Sequence, residues 1–287
     1  MTYIVHGATG AQGSPVLSAL RAAGKHPVAA VRTTQNVPEG VASVAVDLAD
    51  VDSLTAAYAD AAGVFVHLPM GAPGQLGVYA DAIAAAVAEA KPGRVVISTS
   101  GQIVDQPTSP LQVAPDSPLA ALVRKIEETG VSTAMVAPRL YLENLLLPVL
   151  AGPVQEEGVL RYPLPESFSV SWSSHLDVAD VVVRLLADAT VTGTVGVGHL
   201  PGLTGPDLAA GFAAHLGRPV WFEAITPDAF GELIAPLFGA AASAPVVGLY
   251  EAINIQSENI IGGSTSAQKI LGSVPRSVTD WLGRVAA

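Results

Sequence analysis

Three glycines at intervals of three residues form the most distinctive pattern in the chain, Gly7-Ala-Thr-Gly-Ala-Gln-Gly13. The pattern follows the apolar run Tyr3-Ile4-Val5 and opens an amphipathic stretch from about Gln12 to Ala23, so it is predicted to join a β-strand to a helix. Glycine permits the positive φ of a tight turn and lets the backbone come close to a pyrophosphate, while the helix N-terminus offers unpaired N–H groups. The turn therefore predicts a dinucleotide site, and a plain turn that packs helix on strand is the alternative.

The residues after the second and third predicted strands indicate which dinucleotide is preferred. NAD-binding proteins of this kind place an acidic side chain after the second strand to accept from the ribose 2′-hydroxyl. This chain has no Asp or Glu between residues 25 and 36, and it has Arg32, whose guanidinium can pair with a 2′-phosphate. NADP(H) is therefore predicted over NAD(H), with a solvated surface arginine as the alternative. Asp47 and Leu48 are predicted to border the adenine, Asp47 through its turn rather than its charge.

Catalytic groups are harder to find. None of the four lysines has a tyrosine four residues before it, so the Tyr-x-x-x-Lys dyad of short-chain dehydrogenases is absent. No Gly-x-Ser-x-Gly elbow is present, and the spacing of the histidines together with the lack of cysteine predicts no metal site. Ser98 and Ser100 end the fifth predicted strand, where they can reach nicotinamide or substrate, or merely cap the next turn. His67 and His175 are candidate proton donors, although a packed or surface histidine is the better interpretation for each.

Short apolar runs alternate with amphipathic stretches over the first half of the chain, which is typical of βαβ units. The predicted fold class is α/β, a Rossmann-type doubly wound parallel sheet with a smaller, mostly helical C-terminal lobe. Six strands are predicted, the last over residues 132–137, and residues 140–150 are predicted to be helical. The predicted division is a nucleotide-binding domain at 1–150 and a substrate or partner lobe at 151–287, interleaved with the main domain rather than independent.

The composition limits the possible cellular locations and binding partners of the protein. The net charge of −11 and the 14 Lys and Arg among 287 residues argue against direct nucleic-acid binding. Residues 233–250 carry no charge, but prolines and acidic flanks argue against membrane insertion. No signal peptide is expected at the N-terminus. We therefore expect a soluble cytoplasmic protein, a monomer or homodimer, whose partner is a small apolar substrate or a regulatory protein.

Several segments together resemble the NmrA-like branch of atypical short-chain dehydrogenases. Besides the glycine turn, they are Val31-Arg32, Val64-Phe-Val-His-Leu-Pro69 and Ala137-Pro-Arg-Leu-Tyr-Leu-Glu-Asn144. Segments at residues 176–180, 203–205, 216–220 and 271–281 resemble the C-terminal lobe of that family. One departure is Leu119, at a position where many catalytic members carry a lysine.

The resemblance implies a role for individual residues. It places the phosphates on the turn, against Gly7, Thr9, Gly10, Ala11, Gln12 and Gly13. It also implies that Arg32 faces the 2′-phosphate, that Leu68 and Pro69 line the ribose side, and that Pro138 and Tyr141 lie near the nicotinamide.

Three functions are compatible with these patterns. The first is an NADPH-dependent reductase that transfers hydride to a small apolar acceptor such as a quinone, with Tyr141, Asn144 or Ser100 as the hydrogen-bond donor. Packing roles for Tyr141 and Asn144 are the alternative. The second is a non-catalytic NADP-binding redox sensor that acts through a protein partner. The third is a tailoring reductase of specialised metabolism.

Overall fold

A computed structural model describes residues 1–285 of the chain. The first half alternates strands and helices, in the order β1 (Thr2–His6), α1 (Gly13–Ala22), β2 (His26–Val31), β3 (Ala42–Ala45), α2 (Val51–Tyr58), β4 (Ala61–Val66), α3 (Pro73–Ala90), β5 (Val95–Ser98), α4 (Pro118–Glu128) and β6 (Thr133–Pro138). This succession is the predicted βαβ pattern.

The second half is more irregular. It contains β7 (Leu140–Tyr141), α5 (Pro148–Glu156), β8 (Val159–Tyr162), β9 (Ser169–Val170), β10 (Trp172–Ser173), α6 (His175–Ala187), β11 (Gly193–Val197), α7 (Gly205–Leu216), β12 (Trp221–Ala224), α8 (Pro227–Phe238), α9 (Ala240–Asn254), β13 (Glu258–Asn259), α10 (Ala267–Leu271) and α11 (Val278–Val285). Helices α7 and α8 begin at a threonine followed by Gly-Pro or Pro-Asp, which is a common helix-start pattern.

The central sheet has seven strands in the order β11-β6-β5-β4-β1-β2-β3. Strands β3, β2, β1, β4, β5 and β6 pair in parallel. The chain first builds outward from β1 to β3 and then restarts beside β1 with β4. The point where the order reverses lies between β1 and β4, and ligands of doubly wound sheets bind beyond the carboxyl ends of the strands at that point. The predicted Rossmann-type fold is confirmed.

The core lies on both faces of this sheet. Alternate strand residues such as Ile4, Val64 and Ile97 are fully buried with the apolar faces of α2, α3 and α4. On the opposite face, the Gly63 backbone packs against Tyr3 and against Leu186 of α6. Strands β1, β4 and β5 are buried on both faces, which explains their nearly continuous apolar sequences.

The chain forms two compact units, and each is assembled from separate stretches. The first comprises Met1–Pro138, His175–Gly196 and Ser264–Ser273, and the second comprises Arg139–Ser174, Val197–Gly263 and the residues from Val274 onward. The sequence-based boundary at residue 150 therefore falls inside a stretch of the second unit. The last two residues of the predicted lobe, 286–287, lie outside the described residues.

Two expectations about single elements were wrong. Residues 140–150 do not form one helix, because β7 and a 3-10 segment at Leu142–Leu146 precede α5. Leu147, with ψ 135°, is extended because the ring of Pro148 disfavours the helical conformation of the preceding residue. The sheet has a seventh strand, β11, which the sequence analysis missed since Gly193-Thr-Val-Gly-Val is short and contains two glycines.

The second unit is rich in helices. It contains α5, α7, α8, α9 and α11, together with short strands that pair only two by two. The uncharged residues 233–250 belong to α8 and α9. Across residues 1–285, no helix has the length and apolar character needed to cross a membrane.

Candidate functional site

The glycine turn lies directly after β1, at the carboxyl edge of the sheet. Gly7 has φ 56°, and its carbonyl accepts a hydrogen bond from Gly10 N at 2.8 Å. A Cβ on Gly13 would lie 2.2 Å from the Gly7 carbonyl oxygen and 2.5 Å from that of His6. Gly7 therefore makes the tight turn, and Gly13 lets α1 pack against the end of β1. These are the tasks that glycines perform in a pyrophosphate-binding turn.

The top of the turn is open. Thr9, Gly10 and Ala11 are exposed, and the first turn of α1 contains no acidic residue. The positive end of the helix dipole is therefore not neutralised by a carboxylate of its own first turn. This arrangement suits an anionic group.

Gln12 lies at the start of α1, but its side chain does not cap the helix. It reaches instead to the end of β5, where Gln12 Oε1 accepts from Ser98 Oγ at 2.8 Å and Gln12 Nε2 donates to Ser100 Oγ at 3.1 Å. Ser100 N donates to Ser98 Oγ at 3.1 Å. Two predicted site residues at the end of β5, Ser98 and Ser100, are thus joined to the glycine turn by one side chain. Sequence reasoning missed this link, because the partners are far apart in the chain.

Three buried or half-buried histidines lie near one another: His6 directly precedes the turn, and both His6 and His175 interact electrostatically with His67. Burial, with a smaller contribution from nearby His67, lowers the pKa of His6 to about 3. Burial also lowers the pKa of His67, and burial together with His67 lowers the pKa of His175 to about 4. The three rings are therefore neutral near pH 7. The sequence analysis singled out His67 and His175, whereas the role of His6 was not predicted.

Two ring contacts hold the turn in place. His6 Nε2 and the Tyr58 hydroxyl of α2 form a hydrogen bond of 2.8 Å, and burial raises the pKa of Tyr58, which keeps it protonated. The His67 ring lies so close to Gly7 that a Cβ there would be 2.4 Å from Nε2. His67 therefore packs against the turn, and no side chain at position 7 fits beside it.

Arg32 and Asp47 follow the two strands at the outer edge beyond β1. Arg32 is exposed and forms no hydrogen bond or ion pair with the described residues, so its guanidinium is free to meet an anion. Asp47 Oδ1 accepts from Ala49 N at 2.9 Å, and Asp47 N donates to Ser53 Oγ at 3.2 Å. Asp47 thus shapes the turn before α2. Its neighbour Leu48 is half-buried against the core.

The residues after β4 and β6 have different surroundings. Leu68 is buried within the core of the sheet, whereas Pro69, at the same edge, is half-buried. Pro138 ends β6 and the first of the three stretches that form the first unit. Leu68 therefore contributes its backbone, rather than its side chain, to the edge of the sheet.

Tyr141 and Asn144 belong to the second unit. Tyr141 pairs with Ser173 in the ladder of β7 and β10. Asn144 hydrogen-bonds to Tyr162, whose hydroxyl also meets that of Tyr250. Burial raises the pKa of Tyr162 to about 12, although both hydrogen bonds oppose the shift. Sequence analysis proposed Asn144 as a donor to substrate, but its hydrogen bond to a fully buried tyrosine favours a packing role.

Among the described residues, no group of three or more His, Asp or Glu side chains is arranged to hold an ion. The candidate site therefore consists of the glycine turn, the end of β5 and the basic residue after β2.

The sheet order 3-2-1-4-5-6 and the glycine turn after the first strand define a Rossmann-type α/β protein. Within that class, the chain belongs to the NmrA-like family, whose model matches residues 1–263. The resemblance identified from the sequence motifs is confirmed.

Known proteins resemble the chain in sequence and in fold. It is 33% identical over 234 residues to an NAD(P)H azoreductase of Xenophilus azovorans. The aligned region covers 78% of this chain and 77% of that protein. The triphenylmethane reductase of Citrobacter sp. superposes with a TM-score of 0.81 at 17% identity, with full coverage of both chains. An NADPH-dependent quinone oxidoreductase from Escherichia coli gives 0.73 at 17% identity, also with full coverage. At such identities the two structural matches establish the fold alone.

Proposed function

We propose that the protein is an NADPH-dependent reductase that transfers hydride to a small apolar acceptor, such as a quinone or an azo dye. The observation that carries the proposal is the turn after β1. Gly7 takes the positive φ, Gly13 brings α1 onto the strand, and the exposed top of the turn presents backbone N–H groups. A pyrophosphate fits this cradle because no side chain fills it. Reduced nicotinamide supplies the hydride when it is bound.

Arg32 supports the preference for NADPH. The guanidinium follows β2 without a partner among the described residues, and no carboxylate lies between residues 25 and 36. A 2′-phosphate there gains a charge-assisted hydrogen bond, whereas the ribose hydroxyl of NAD finds no acidic acceptor. The same arrangement therefore favours the binding of NADPH and adds no hydrogen bond to the binding of NADH.

Two observations indicate the class of hydride acceptor: the absence of a Tyr-x-x-x-Lys dyad and the similarity to an azoreductase. Without a Tyr-x-x-x-Lys dyad, the protein has no dedicated proton donor of the usual type, and this favours acceptors whose reduced form water can protonate. Quinones meet that condition. The 33% identical relative is an NAD(P)H azoreductase, which adds azo dyes to the acceptors to be tried.

The experiment is consumption of NADPH by the purified full chain with quinones, azo dyes and triphenylmethane dyes, each in excess. The expected result is many turnovers with at least one class and slower turnover with NADH. Tight binding of NADPH without turnover on any acceptor would replace the reductase with a binding-only sensor that acts through a protein partner. Failure to bind either dinucleotide would overturn both.

A further inference from the structure

We propose that Gln12 is a positioning residue that fixes the direction of the Ser100 hydroxyl, so that Ser100 presents its O–H to the acceptor at the carboxyl end of β5. The inference rests on the proposed reductase function. It assigns different tasks to Ser98, which ends β5, and to Ser100, which follows it, and it gives one residue of the glycine turn a role outside phosphate binding.

The hydroxyl of Ser98 both donates and accepts hydrogen bonds within the protein. Ser98 is 1% exposed, its Oγ accepts from Ser100 N, and its one O–H is donated to Gln12 Oε1 at 2.8 Å. A serine hydroxyl has a single proton to donate. Ser98 therefore cannot donate to a ligand while it holds the carboxamide of Gln12.

The hydroxyl of Ser100 is in the opposite situation. Its Oγ accepts from Gln12 Nε2 at 3.1 Å, so its own proton points away from the carboxamide. No residue of the described chain accepts that proton, and the side chain is only half-buried. Ser100 is thus left with one donor that the protein does not use.

The backbone holds Ser100 in an unusual conformation. Ser100 has φ 53° and Gly101 has φ 87°, so the chain turns sharply as soon as β5 ends. The left-handed conformation is unfavourable for serine and persists only where its surroundings impose it. Here Gln12 Nε2 donates to Ser100 Oγ and Ser100 N donates to Ser98 Oγ, and a third hydrogen bond, from Ser98 to Gln12, joins these two partners of Ser100.

The chemistry that this donor serves is the appearance of negative charge on oxygen. A quinone that gains a hydride becomes a hydroquinone anion, NADPH is oxidised to NADP⁺, and one proton from water completes the hydroquinone. The Ser100 O–H stabilises the developing oxyanion by a hydrogen bond and keeps its own proton. A cationic triarylmethane dye gains hydride at carbon and becomes neutral, so its reduction needs no such donor.

The test compares Gln12→Met, Ser100→Ala and the double variant. Methionine keeps the length of Gln12 without its hydrogen bonds. We expect each single variant to lose about tenfold in kcat for a quinone with little change in KM. The double variant should lose no more than Ser100→Ala alone, because Gln12 acts through Ser100. Additive losses, or an unchanged kcat in Gln12→Met, would overturn the inference.

Two further readouts separate positioning from structural support. NADPH affinity, measured by calorimetry without acceptor, should change less than threefold, about 0.7 kcal/mol, in Ser100→Ala. Gln12→Glu keeps a side chain of the same length with two acceptor oxygens, so it can still hydrogen-bond to the serines at the end of β5. Because the carboxylate accepts the Ser100 proton, that proton no longer faces the acceptor. We therefore expect kcat at saturating NADPH to fall as in Gln12→Met. A merely structural tie would survive that change. If the wild-type protein turns over no acceptor, the proposed reductase function is contradicted independently of the role of Gln12. Binding of NADPH then shows whether the cofactor site or only the hydride transfer is absent.

The acceptor dependence is the sharpest control. If the protein reduces a triarylmethane dye, Ser100→Ala should slow quinone reduction while dye reduction stays within about twofold of the wild-type rate. Equal losses with both acceptors would contradict the assignment of Ser100 as an oxyanion donor.

Discussion

The α-carbon of Gly13 lies so close to the carbonyl of Gly7 that a Cβ on Gly13 would be 2.2 Å from that oxygen. The contact joins the first and last glycines of the turn and fixes the distance between the start of α1 and the end of β1. Because the obstructing atoms are backbone, neither can rotate away. The spacing of the glycines is thus a packing requirement as well as a ligand-binding one.

Gly13→Ala should therefore damage both stability and binding. We expect a loss of about 1–3 kcal/mol in the free energy of unfolding, since α1 must move away from the strand. NADPH affinity should fall with it, because the N–H groups of the turn move together with the helix. Urea unfolding and NADPH titration measure the two effects. Gly77→Ala is the matched control, since Gly77 of α3 faces open space and alanine is the better helix former. Equal stability of both variants would refute the packing argument.

Arg32→Ala should lower the affinity for NADPH and leave that for NADH nearly unchanged. A charge-assisted hydrogen bond is worth about 1.5–3 kcal/mol, which corresponds to a loss of about ten- to a hundredfold. Calorimetric titration with both dinucleotides measures the ratio. Arg21→Ala removes the same charge from the last turn of α1, where the side chain is also exposed, and should leave the ratio intact. A parallel loss with NADH would show that Arg32 does not read the 2′-phosphate.

The buried histidines predict a loss of stability in mild acid. His6 and His175 have folded-state pKa values of about 3 and about 4, against 6.5 in the unfolded chain. Below pH 6.5 these two histidines are therefore protonated in the unfolded chain but stay neutral in the folded protein. The free energy of unfolding falls as the pH falls. The slope is at most about 1.4 kcal/mol per pH unit for each histidine. Urea unfolding between about pH 7 and about pH 5 isolates this effect from most carboxylates. A flat profile in that window would contradict it.

Asn144→Ala should act on folding rather than on turnover. The variant leaves the Tyr162 hydroxyl with Tyr250 alone, in a fully buried environment. We expect a loss of about 1–2 kcal/mol in the free energy of unfolding, with kcat for the best acceptor nearly unchanged. Leu237→Ala, at an exposed position of α8, serves as a control for truncation in the same unit. A large fall in kcat with normal stability would restore Asn144 as a catalytic residue.

The sequence predicted the parts of the fold that short-range rules determine. The glycine turn, the strand before it, the helix after it and Arg32 after β2 all follow from local composition and the periods of strand and helix. Residues 140–150 misled the analysis, because an apolar run does not distinguish helix from strand, and the decisive restraint was the ring of Pro148 on Leu147. The Gln12 link to Ser98 and Ser100 gave no signal, since nothing local in either segment specifies a contact across 86 to 88 residues.

The most direct test of the account is calorimetric titration of the full-length protein with NADPH and with NADH, before any acceptor is added. We expect saturable binding of one NADPH per chain, with an affinity at least about tenfold above that for NADH. Binding of neither dinucleotide would contradict the assignment of the turn Gly7 to Gly13 as a cofactor site, and with it the proposed reductase function.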